Sequence, residues 1–255
     1  GVQTCALPIW MPLIEHFAEF RRRLFKSAVG ISIFGVAGWI YYDRILNLLA
    51  RPVCDLKGVK SLANCGTLYI NGVLGPIDLK FKISLIIGVI ISSPIWLYQL
   101  WSFISPALHK RERRNSLILI SFAVPFFSLG SYIGYRVLPF AVKVLLGFTP
   151  SNIENLIKFD DYLNFVAQMI LVFGIAFELP IFLSALNFAG ILSGRSILKP
   201  WRFAIFGIML FAAIFTPTGD PFTMLLLATP LIILYLLSGA IAILNDRRRT
   251  KILNA

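Results

Sequence analysis

An all-α membrane protein of six kinked spans is the fold the sequence predicts, and three observations carry that prediction. Hydrophobic side chains make up 58% of the 255 residues and charged ones only 14%, against about a half and a quarter in an ordinary soluble domain. The apolar residues fall in runs of spanning length. Between those runs the basic residues form short clusters, so the formal net charge of +12 reads as a topology signal and not as a nucleic-acid-binding stripe.

Taken in order, the first nine residues, GVQTCALPI, read like an in-frame translation of a sequencing-library adapter. Residues 1–10 are therefore set aside, with Cys5 among them, and the protein proper is expected to begin near Met11. Pro12 suits a first helical turn, and Leu13, Phe17, Phe20 and Leu24 recur at helical spacing opposite Glu15, Glu19, Arg22 and Lys26, which predicts an N-terminal amphipathic helix on the membrane surface. Span one follows over 24–42 and ends in Trp39, Tyr41 and Tyr42, residues suited to an interface. A long polar region, 43–80, opens with an amphipathic turn or two that Pro52 is placed to end.

Span two, 81–104, holds Pro94 and finishes in the aromatic run WLYQLWSF. Span three, 117–138, contains Pro125, and span four, 162–188, contains Glu178 and Pro180. Span five, 203–215, covers only about 20 Å at 1.5 Å per residue, against a hydrocarbon core of about 30 Å. A TPTGDP turn leads into span six, 222–244, which carries Pro230, and residues 246–255 form a basic tail after the membrane domain of 11–245. The prolines within four spans predict kinks.

Orientation follows from the basic residues. Arg21, Arg22, Arg23 and Lys26 precede span one; Lys110, Arg111, Arg113 and Arg114 join spans two and three; Arg195, Lys199 and Arg202 join four and five; Arg247, Arg248, Arg249 and Lys251 follow span six. These are 15 of the 24 Lys and Arg, accompanied by only Glu15, Glu19, Glu112 and Asp246. The richer side, with both termini, is expected in the cytoplasm and should attract anionic lipid.

Enzymatic chemistry finds no support. The two histidines, His16 and His109, lie in cytoplasmic segments, no His/Cys spacing suits a metal, and Asp220 in the TGD turn has no second aspartate within a span to form a dyad. No cofactor is implied. Two carboxylates instead stand out on the cytoplasmic side, Glu112 amid Lys110, Arg111, Arg113 and Arg114, and Glu19 beside Arg21, Arg22 and Arg23. A carboxylate accepts two parallel charge-assisted bonds from a guanidinium, which a lysine cannot reproduce, so two separated carboxylates suit a paired-arginine ligand. The bland alternatives are neutralisation of neighbours for Glu112 and an i to i+4 pair with Arg23 for Glu19.

Four stretches carry a more specific signal: HFAEFRRRL (16–24), YQLWSFISPALHKRERR (98–114), FGIAFELP (173–180) and FTPTGDPF (215–222). With them the chain resembles the TatC family, the polytopic core receptor of the twin-arginine protein translocase, from about Leu13 to Leu244. The resemblance implies a glove-shaped, concave six-helix bundle in the bacterial cytoplasmic membrane. It would bind twin-arginine signal peptides of folded cargo, recruit single-span TatA/TatB-type subunits, associate with itself, and use the proton-motive force. On that resemblance the signal-peptide site maps onto Glu19, Arg21, Phe103 and Glu112, and outer-side positions for assembly and transport map onto Pro52 and Asp220. An extra Gly219 lengthens the turn before Asp220 relative to some members.

Two further expectations come from the residues. Glu178 lies inside span four, where an ionised acid costs about 2.5 to 3.5 kcal/mol even on lenient insertion scales, so it must be neutral, paired or facing water. It is read as the docking point of a partner helix, the alternative being Gln168 or Ser184 as internal partners; a proton-coupled carrier of small solutes would also use such an acid. Cys54 and Cys65 share the first outer loop, and a bridge between them would close about a dozen residues, worth roughly 3 kcal/mol. The alternative is two unpaired thiols.

Overall fold

The computed structural model describes residues 13–56, 68–104, 113–148, 156–188, 190–216 and 221–253. Helices carry the fold. Four of them are long and apolar enough to cross a membrane, over Phe17–Ile40, Ser121–Gly147, Phe159–Phe188 and Pro221–Arg248. A bent pair, Gly75–Ile91 with Ser93–Phe103 at 57°, makes a fifth crossing if it is one span. Four to five candidate spans are thus present among the described residues, and the apolar helix Trp201–Phe215, at 15 residues, is the short segment expected as span five.

Helix α1 (Leu13–Ile40) is continuous; the amphipathic stretch runs into span one as one rod, since no Gly or Pro interrupts the junction and Ser27 and Ser32 only return hydrogen bonds to carbonyls four residues back. It lies against α3 (Gly75–Ile91) at close range. A Cβ on Gly88 of α3 would stand 2.6 Å from the Ile31 carbonyl oxygen of α1, the small-residue approach by which membrane helices gain packing contact without a hydrophobic drive.

Helix α2 (Tyr42–Leu56) corrects the expectation that Pro52 ends the amphipathic turns, for the helix runs on through it. Proline has no N–H, so the Leu48 carbonyl four residues back loses its helical donor. The Tyr135 hydroxyl replaces it at 3.1 Å, and the Tyr162 hydroxyl reaches the next carbonyl, Leu49, at 2.7 Å. One long-range donor therefore fills the gap that the proline leaves, and a second ties the next carbonyl to α6. After α2 comes a strand β1 (Leu68–Tyr69), which pairs in parallel with β2 (Ile157–Lys158), so the stretches just before α3 and α6 are joined. No strand was expected; two residues carry no readable alternation.

Helices α3 and α4 (Ser93–Ile104) meet at Ser92, where Pro94 in the first turn of α4 explains the break. The Trp96 indole donates to the Val89 carbonyl across it at 2.9 Å. Helix α5 (Arg113–Gly147) contains Pro125 and Pro139 and extends nine residues past the expected end at 138. Helices α6 (Phe159–Ala176) and α7 (Leu179–Phe188) form one span broken at Phe177 and Glu178. Pro180 is the cause, since it leaves the Ala176 carbonyl without its donor. At the start of α6, Lys82 of α3 bridges Asp160 of α6 and Asp78 of its own helix, and Lys80 lies 4.6 Å over the Trp39 ring.

The chain then folds through α8 (Gly194–Leu198), α9 (Trp201–Phe215) and α10 (Pro221–Leu253). The basic tail expected from 246 is largely helix, continuous with the last span. Its start is bound into the bundle: Asp246 accepts from the Gly194 N–H at 2.6 Å and from the Asn187 amide at 2.9 Å. The main core surrounds α6 through Leu163, Val166, Met169 and Phe173, and a smaller one gathers Leu97, Trp101, Phe127 and Ile181.

Candidate functional site

The last turns of α4 face two ways. Residues two apart on a helix point about 200° apart, and here Phe103 meets α1 while Trp101 meets the break between α6 and α7. The Phe103 ring lies 5.4 Å from Phe20, tilted by 56°. That contact brings Phe103 beside the turn of α1 that carries Glu19 and Arg21, so three of the four residues expected to share a site belong to one corner of the molecule. Glu112, the fourth, lies outside the described residues.

Within that corner Arg21 is exposed and Glu19 is partly sheltered. The Glu19 carboxylate is engaged by Arg23, whose Nε donates to Oε1 at 2.9 Å and whose Nη2 donates to the same oxygen. This is the i to i+4 pair weighed above as the alternative. It also shows what the position can do, which is to receive a guanidinium side-on.

Glu178 has a partner the sequence did not name. The Trp101 indole donates to Oε2 at 3.1 Å, while Oε1 is buried with no hydrogen-bond partner among the described residues. Neither Gln168 nor Ser184 satisfies it there. The chain break at Pro180 sets the carboxyl at the junction of α6 and α7, and its backbone carbonyl accepts from Phe182. An indole within a span needs an acceptor, and of the two in this span Trp96 donates to Val89 and Trp101 to Glu178.

The carboxyl opens on an apolar groove of about 580 Å³. Leu100 and Trp101 form one wall, Leu179, Phe182 and Leu183 a second, and Ala204, Gly207, Ile208 and Phe211 of α9 a third. A Cβ on Gly207 would meet nothing within 4 Å, so the α9 wall is open at that point. An unpartnered carboxyl oxygen in an apolar, membrane-depth groove is suited to accept or, when protonated, donate one hydrogen bond to an entering polar side chain.

The other expected residues are scattered. Pro52 is inside α2, and Asp220 lies outside the described residues. Cys54 is buried and disulfide-bonded; Cys65 lies outside the described residues. Among the described residues no group of three or more His, Cys, Asp or Glu could hold a metal ion.

Three comparisons bear on this arrangement. The family model for Sec-independent protein translocase protein (TatC) matches residues 15–230. The chain is 42% identical over 245 residues to the Sec-independent protein translocase protein TatC of Frankia casuarinae, covering 93% of this chain and 67% of that one. It is 34% identical over 248 residues to the protein of the same name from Aquifex aeolicus, covering 96% and 100%. Its fold is similar to a crystal structure of the twin-arginine translocase receptor TatC in DDM, with a TM-score of 0.76 and 32% identity over 89% of this chain and 99% of that one.

Proposed function

Because this chain belongs to the TatC family of Sec-independent protein translocase proteins, a family of transport proteins and not enzymes, we infer that it is the twin-arginine receptor subunit and that the corner formed by α1 and α4 is where the signal peptide binds. Glu19 and Glu112 take the two guanidinium groups, with Arg21 and Phe103 alongside. The observation that carries this reading is that Glu19, beside Phe103, already holds a guanidinium through two donors.

On this reading the chain crosses the bacterial cytoplasmic membrane six times, with the bent α3–α4 pair as the second span and α9 as a short fifth, and forms a concave bundle. Both termini are cytoplasmic, in keeping with the distribution of Lys and Arg. Single-span TatA/TatB-type subunits enter the groove at Glu178, whose oxygen without a partner among the described residues accounts for an acid at that depth better than a small-solute carrier would. The chain associates with further copies of itself, and transport of folded cargo draws on the proton-motive force. Pro52 and Asp220 act on the outer side. The bridge of Cys54 is to Cys65, so both cysteines should resist alkylation until reductant is added; free alkylation of both without reductant contradicts it.

Binding of a labelled twin-arginine peptide to the reconstituted protein tests the site. Glu19→Gln and Glu112→Gln keep shape and remove charge, so each should weaken binding while membrane insertion stays normal. Wild-type affinity in both variants would show that the peptide binds elsewhere.

A further inference from the structure

Glu19 is occupied by an arginine of its own helix. Arg23 reaches the carboxylate across one turn with two donors on a single oxygen. Both side chains are only about a quarter exposed, at 22% and 27%, so water and salt screen the pair less than they screen a fully exposed one. The order along the helix, acid first and base four residues later, is also the favourable one. Arg22, on the same turn, is exposed and is not bonded to Glu19.

We propose that Arg23 is an internal competitor for the carboxylate that takes the signal arginine, and thereby sets how tightly a cationic ligand must bind to be held. The proposal rests on the reading of Glu19 as part of the signal-peptide site. An incoming cation, guanidinium or ammonium, gains the full attraction of Glu19 only when Arg23 has left it, because Arg23 neutralises the carboxylate and holds Oε1 with two donors. Release of Arg23 must precede or accompany binding. The apparent affinity is then the intrinsic affinity multiplied by the fraction of molecules in which Glu19 is open.

One consequence separates competition from recognition. The closed fraction is a property of the receptor, so every ligand that uses Glu19 is weakened by the same factor. A twin-arginine peptide and its twin-lysine counterpart lose equally, and the ratio between them, fixed by fork geometry, does not move. Arg23 is therefore a threshold device; discrimination between arginine and lysine belongs to the carboxylates. An exposed pair of this spacing would impose about a twofold factor, and the sheltered two-donor arrangement raises that to roughly two- to tenfold.

The test measures affinities of twin-arginine and twin-lysine peptides for the full chain in detergent micelles. Arg23→Gln should tighten both by about two- to tenfold, with Arg23→Lys falling between it and wild type because a lysine pairs with one bond in place of two. Arg22→Gln removes the same charge without freeing Glu19 and should tighten binding by less than about twofold. Affinity that is unchanged or weaker in Arg23→Gln, or no greater than in Arg22→Gln, overturns the proposal, as does a shifted ratio between the two peptides. Glu19→Gln identifies which idea has failed: if it leaves peptide affinity at the wild-type value, the site reading falls and the competitor with it. If it weakens binding while Arg23→Gln does not tighten it, only the competitor falls.

Discussion

Glu19 and Glu178 both border the last turns of α4, and they are satisfied in opposite ways. Glu19 stands on an amphipathic turn with a cation one turn away and water within reach, and its oxygen Oε1 takes two donors from Arg23. Glu178 stands at a helix break within the membrane, where one oxygen takes an indole N–H and the other takes nothing among the described residues. The first is a carboxylate already paired with a positive charge. The second is a carboxyl for which a charge would be costly to bring and a neutral hydrogen-bonding side chain would not. One helix end, α4, thus lies between an ion-paired acid and an acid bonded to a neutral indole, through two residues, Phe103 and Trp101, that point apart.

The largest effect that can break this comparison is an exchange of phenotypes. Glu19→Gln should weaken twin-arginine peptide binding by about ten- to hundredfold, the loss expected when two charge-assisted bonds are reduced to neutral ones. Glu178→Gln should leave that affinity within about twofold. Equal losses in titrations of the two variants would mean that the carboxylates form one site.

A smaller effect sharpens the role of the indole. Trp101→Phe keeps an aromatic ring against Phe182, 6.4 Å away, and removes the donor to Glu178. Leaving a buried carboxyl oxygen unsatisfied should cost about 1–3 kcal/mol, read as a lower midpoint in thermal unfolding in detergent. In a Glu178→Ala background the same change should cost much less, since the bond is already gone; equal costs would show that Trp101 acts through packing alone.

The smallest effect lies away from both sites and serves as their control. Tyr135→Phe removes the donor that the Leu48 carbonyl uses where Pro52 has no N–H, which should cost about 1 kcal/mol without altering peptide affinity. Pro52→Ala restores the helical donor, so Tyr135→Phe should cost less there; an unchanged cost would mean that the hydroxyl is not compensating for the proline.

How far the sequence reaches is clear from the same residues. Long apolar runs announced the helices because burial in lipid needs about twenty such residues whatever they pack against, and the brevity of α9 followed from counting. The continuations of α2 through Pro52, of α5 to Gly147 and of α10 to Leu253 were not legible. In α2 and α10 the helix is kept by contacts distant in the chain, Tyr135 on Leu48 and Asp246 on Gly194, against the local signal of a proline or a polar run. Motif and charge marked Glu19 in the sequence, and the i to i+4 pair with Arg23 that the structure shows was the alternative weighed for it. The partner of Glu178 was not, because Trp101 lies 77 residues away and an indole leaves no spacing pattern to find.

Photo-crosslinking in the assembled complex tests the separation of the two sites most directly. An aromatic crosslinker would replace Phe103, at the ionic corner, and another would replace Gly207, where the groove wall is open. Position 103 should capture the twin-arginine peptide and lose it in Glu19→Gln, while position 207 should capture a single-span partner and lose it in Glu178→Ala. Peptide captured at both positions, or adducts at 207 only with the chain's own helices, would contradict the division of labour between Glu19 and Glu178.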